Sequence, residues 1–98
     1  MNNQKRNVVT QTKHDKMVEK TKNWYASRKY KVVADLPGEQ LPKKIGGYIP
    51  DIIAKKGKQE KIIEIETQKT LKTDRKQQDA FEKYAKSKDN TDFTIKLA

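Results

Sequence analysis

The chain has 98 residues, 33% of them hydrophobic and 37% charged, with a formal net charge of +10. That length supports one domain with a modest core and excludes two. The positive excess attracts polyanions by counterion release, so nucleic acid is the expected partner; solvated lysine-rich faces are the plainer account of the same charge. No apolar run approaches the roughly 20 residues that span a bilayer, so a membrane partner is not expected. The segment MNNQKRNVVTQTK lacks the apolar core of a secretory signal, and the absence of cysteine rules out disulfides and thiolate metal sites. A cytoplasmic protein is the expectation.

Residues 1–11 are polar and aperiodic apart from Val8 and Val9, and are expected to form a mobile basic arm ahead of a single domain over 12–98. Thr12 with Asp15 resembles a helix cap. From there His14, Met17, Val18, Thr21, Trp24, Tyr25 and Arg28 share one side of a helix ending near Tyr30, with Asp15, Glu19, Lys22 and Lys29 opposite. On that stripe Trp24 and Tyr25 read as core. The β-branched run 31–36 predicts a strand, stopped by Pro37-Gly38. A long loop follows, with Pro42, Lys43, Lys44 and Gly46-Gly47; length of this kind often marks a working loop. Runs 49–55 and 61–67 form a hairpin about Gly57, residues 70–88 a helix with Thr73 as cap, and 93–97 a closing strand. The order is α-β-β-β-α-β.

The hairpin holds the chemistry. A two-residue turn with Gly57 first pairs Lys56 with Gln59 and Ile53 with Ile62, and sets Asp51 opposite Glu64. Opposed residues share a face with side chains about 5 Å apart, and Glu66 joins them two residues on. Ile52, Ile63 and Ile65 take the other face as core. Three converging acids raise one another's pKa unless a cation joins them. Magnesium or manganese, which prefer oxygen ligands, would resolve the conflict. Ordinary salt bridges from Lys43, Lys44, Lys69 or Lys76 would do so as well.

Gly47-Tyr48-Ile49-Pro50-Asp51-Ile52-Ile53 followed by Ile62-Ile63-Glu64-Ile65-Glu66-Thr67 resembles the PD-(D/E)xK nuclease superfamily, most closely its small archaeal-type Holliday-junction resolvase-like and restriction-endonuclease-like members. The resemblance implies an α/β restriction-endonuclease-like core, with a mixed four-stranded sheet flanked by two helices. It implies a metal-dependent DNA endonuclease with Asp51 and Glu64 as ligands to Mg2+ or Mn2+, and the carbonyl of Ile65 completing the set. The family's usual lysine is replaced here by Glu66. Glu66 would then act as a base or further ligand, or a migrated lysine such as Lys69 or Lys76 would substitute. Otherwise the domain is a catalytically inactive nucleic-acid-binding accessory module. Many members act as dimers, so a homodimer is a further implication.

The remaining candidates each have a plainer alternative. Lys43, Lys44, Gly46 and Gly47 precede the motif and suit phosphate contact, as do Lys69, Arg75 and Lys76; loop punctuation and solvated charge explain them almost equally well. His14 is a site candidate or a partly buried cap or core histidine. Gln77 and Gln78 would lie near the phosphate, or on a solvated face and at the core edge. Glu19 points away from the stripe and is not assigned a role. An RNA-binding reading rests on charge alone, without an aromatic-rich strand to support it.

Overall fold

The structure, a computed structural model, describes residues 8–98. The expected arm therefore lies outside the described residues for 1–7. Helix α1, Val8–Ser27, already includes residues 8–11, so the helix begins before Thr12 and that residue is not its cap. The polar composition of 8–16 hid four residues that are helical all the same.

Four strands follow the expected plan: β1 Lys31–Ala34, β2 Ile52–Lys56, β3 Gln59–Glu66 and β4 Thr91–Leu97. They form one sheet in the order β1-β2-β3-β4. The first two pairings are antiparallel and β3–β4 is parallel, so the sheet is mixed. The hairpin register is the one its turn dictates, with Lys56 opposite Gln59, Ile53 opposite Ile62 and Ile52 opposite Ile63. Gly57 has φ +60, the value a Gly-first mirror turn requires. β2 starts at Ile52 rather than Ile49, because Pro50 has no N–H to give a ladder; Asp51 thus sits just outside the strand.

The second helix is divided. α2, Gln68–Thr73, is capped by Thr67, whose hydroxyl accepts the Thr70 N–H while the Thr70 hydroxyl accepts the Thr67 N–H. Thr73 closes α2 instead of capping a helix, and α3, Arg75–Lys86, begins after Asp74.

Both faces of the sheet are covered. On one, Val18 of α1 packs with Ala34, Ile52, Ala54, Ile63 and Ile65. On the other, Phe81 of α3 packs with Ile45, Ile53 and Ile62. The face carrying Glu64 and Glu66 is thus also a core face. Trp24, expected inside, is 49% exposed; its ring meets Tyr25 edge-on and is covered by the Arg28 guanidinium at 3.7 Å. The inward side of α1 is instead filled by His14, Val18 and Thr21.

The loop before β2 is pinned by a tight turn, in which Ile45 and Tyr48 exchange backbone hydrogen bonds of 2.7 and 3.1 Å. Gly46 and Gly47, with φ +62 and +89, supply the positive angles of a type I′ turn. A Cβ on Gly46 would lie 2.9 Å from the Ala80 Cβ of α3. Gly46→Ala is expected to destabilise the protein by about 1–3 kcal/mol, from strain at positive φ plus the clash. A urea melt checks this; an unchanged midpoint would contradict it.

Candidate active site

The register brings Asp51 and Glu64 together at the end of the sheet remote from the Gly57 turn. Each carboxyl group accepts a backbone N–H at or next to the other residue. The Asp51 N–H donates to Glu64 Oε1 at 2.7 Å, and the Ile65 N–H donates to Asp51 Oδ2 at 2.9 Å. Two side chains lock the pair from opposite layers. From α1, His14 Nε2 lies 3.3 Å from Asp51 Oδ2, while its Nδ1 lies 3.4 Å from Asp15 Oδ1. From α3, the Gln77 amide donates to Glu64 Oε2. His14 and Gln77 are therefore in contact with the two acids, and His14 spans two carboxylates.

Glu66 shares the face but faces another neighbourhood. It is 2% exposed, and its Oε2 lies 3.4 Å from the Gln78 amide nitrogen, which also donates to the Leu71 carbonyl at 3.0 Å. Asp74, at the break between α2 and α3, adds negative charge to this corner.

Burial chiefly, and then the charge of Asp51, push the Glu64 carboxyl up to about 9. Burial also pushes Glu66 up to about 7, opposed by the Thr70 hydroxyl and reinforced by Asp74. Both groups bind a proton more tightly folded than unfolded, so between the ordinary carboxylate value and these raised ones the native state holds the extra protons. Stability of the metal-free protein must then fall as pH rises, most steeply up to about 7 where both titrate and on to about 9 for Glu64. Thermal melts from pH 5 to 9 are expected to show this slope, and added Mg2+ to raise the melting temperature more at pH 8 than at pH 5. A midpoint that rises with pH would contradict it.

The donor set suits a hard divalent cation. Each Glu64 oxygen accepts one hydrogen bond, which leaves a lone pair on each. Among the described residues no lysine or arginine pairs with Asp51, Glu64 or Glu66, so the salt-bridge alternative supplies no counter-charge. Nor do three acidic or histidine side chains form a ready-made ligand group among those residues. A set of two carboxylates, completed by water or a carbonyl, is the usual habit of magnesium and not of a full protein cage.

Other expected residues lie elsewhere. Lys43 donates to the Tyr84 hydroxyl at 2.7 Å and pairs with buried Glu60 at 3.1 Å, four residues from Glu64 or about 13 Å along the strand. Burial alone would raise Glu60, but the hydrogen bonds from Tyr84 and Lys43 outweigh it and hold its carboxyl below the usual value. Gly46 and Gly47 serve the turn described above. Lys44, Lys69 and Lys76 are exposed and make no ion pair to the acids. Arg75 and Gln78 line a groove of about 390 Å³ between α2–α3 and β4, whose walls include neither Asp51 nor Glu64. Glu19 is exposed. Asp15 was not anticipated; only its adjacency to His14 hinted at it.

A family model described as REase_AHJR-like matches residues 6–97 of the chain. No curated protein matches it, and no solved structure does.

Proposed function

We propose, since this chain belongs to the REase_AHJR-like family, that it is a metal-dependent DNA endonuclease-like domain with Asp51 and Glu64 at its centre. The fold is restriction-endonuclease-like, α/β with a mixed four-stranded sheet, and the family suggests nuclease-like function with DNA as substrate. What supports the assignment is the pair of crossed bonds, Asp51 N–H to Glu64 and Ile65 N–H to Asp51, which bring the two carboxyl groups to one place with no basic partner other than His14 among the described residues.

Asp51 and Glu64 would hold Mg2+ or Mn2+, with the Ile65 carbonyl as a further oxygen donor. Such an ion, when bound, lowers the pKa of a bound water and neutralises charge on the phosphate. The chain's own groups do the rest. His14 fixes Asp51 from α1 and can hold a proton at Nε2. Gln77 fixes the Glu64 carboxyl. Glu66, pushed up to about 7, can accept a proton near neutral pH, in the place where the resembling nucleases carry lysine.

One observation favours a second reading, an inactive DNA-binding accessory module. Glu66 is turned toward Gln78 and the α2–α3 corner, and no lysine takes the missing position among the described residues. Incubation of branched and linear DNA with Mg2+ or Mn2+ separates the two. Cleavage by the wild type, lost in Asp51→Ala, supports the nuclease. Salt-sensitive binding by both proteins with no cleavage by either supports the module, and no binding at low salt contradicts both. No helix among the described residues is long and apolar enough to cross a membrane.

A further inference from the structure

On the face that α3 covers, the helix lies chiefly over β3 and β4 and meets β2 through Phe81 and Ile53. The β1–β2 half of that face is roofed by the loop before β2, and a groove of about 310 Å³ remains beneath it. Val33, Ile53, Leu41 and Pro42 make its apolar walls, and Lys31, Lys43 and Lys55 its rim. Leu41 is 53% exposed, one of three large apolar side chains left outside among the described residues. The lysines outnumber the nearby acid of that end. Glu60 takes Lys43 at 3.1 Å and Lys55 at 3.6 Å, while Lys31 is paired to no carboxylate among the described residues. The groove lies on the sheet face that also carries Asp51, although its walls do not include the carboxylates. Strand alternation puts Asp51, Ile53 and Lys55 on one face, with Lys31 opposite Lys55 and Val33 opposite Ile53. Asp51 and Lys55 are thus about 13 Å apart along that face.

We infer that this groove takes an unpaired nucleotide of a DNA strand, with the base against Leu41, Val33 and Ile53 and the phosphate at Lys31 and Lys55. An apolar slot with a cationic rim matches a ring joined to an anion. A duplex end keeps its bases stacked and offers only phosphates to the same rim. The inference rests on the nuclease-like reading for the choice of nucleic acid, and it narrows the substrate to DNA with a single-stranded portion on the sheet face that carries the carboxylates.

Binding is measured with excess EDTA, which separates it from cleavage. The probes are a fluorescein-labelled oligodeoxythymidylate, an abasic strand of the same length and a blunt duplex. Lys31→Glu is expected to weaken the single strand about tenfold and the duplex much less. Leu41→Ser, which changes no charge, is expected to weaken the single strand about threefold to tenfold and to leave the abasic strand unchanged. Both residues are exposed, and a melt of each variant confirms its fold. Equal losses on single strand and duplex would reduce the site to general electrostatics and overturn the inference. So would a Leu41→Ser protein that binds like the wild type. Binding of free thymidine monophosphate as tight as that of the strand would make a free nucleotide the occupant and overturn the strand assignment. If the wild type binds no nucleic acid, the nuclease reading fails with it; if the duplex is bound and the single strand is not preferred, this inference alone fails.

Discussion

Glu64→Gln is expected to lose DNA cleavage by more than about 100-fold and, at pH 8 without metal, to melt higher than the wild type. The two effects have one cause. Glu64 is 2% exposed, faces the charge of Asp51 and has its carboxyl pushed up to about 9. The glutamine is nearly isosteric and neutral, so the folded protein no longer needs to bind a proton there or bear the repulsion. Its amide oxygen can still accept the Asp51 N–H, and Gln77 can rotate its own amide to receive the new donor. A gain of about 1–3 kcal/mol in pH 8 stability follows from removing that linkage. The same change deletes one of two carboxylates from the proposed cation site, and the remaining one would bind a divalent ion poorly. Proteins commonly give up stability at functional positions, as the proposed site would here. Thermal melts and a cleavage time course on the same preparation check both halves. A variant that is less stable at pH 8 would contradict the electrostatic account, and one that cuts normally would remove Glu64 from the site.

Phe81→Ala should be the most damaging single truncation in the core, at about 3–5 kcal/mol. Phe81 is fully buried, meets the rings of Tyr48 and Phe93 edge-on, and fastens α3 to Ile62, Ile53 and the loop residue Ile45. Gln77 lies one helical turn before it on α3, so the loss should also loosen the clamp on Glu64. A domain of this size has total stability of the same order, and the variant is expected to be largely unfolded at 37 °C. Circular dichroism with urea reads the result; a midpoint shifted by less than an equivalent of about 1 kcal/mol would show that Phe81 does not anchor the helix.

The hairpin and its acids were legible because one glycine decided them. With Gly57 first in a two-residue turn, period-two alternation places every side chain from Asp51 to Glu66 on a definite face. The division of the second helix was not legible, because the box that starts α2 uses Thr67 and Thr70 where a glutamate or glutamine usually signals it. Trp24 was misplaced because a helical wheel counts a stripe and not the width of sheet it meets; Val18 and Thr21 are covered, and Trp24 is left outside. The contact of His14 with Asp51 joins residues 37 apart, and Gln77 with Glu64 joins different elements. Such meetings depend on how α1 and α3 lie across the sheet, which residue spacing within one element does not encode. Lys43 is the opposite case. Its charge suggested phosphate, yet the lone buried glutamate at the far end of β3 uses it.

The central claim is that Asp51 and Glu64 together hold a divalent cation. Titration of Mn2+ into the wild type and Asp51→Asn, followed by electron paramagnetic resonance at pH 8, tests it most directly. The account predicts a bound ion in the wild type that competes with Mg2+ and is lost in the variant. Equal binding by both proteins, or none by the wild type, would contradict it.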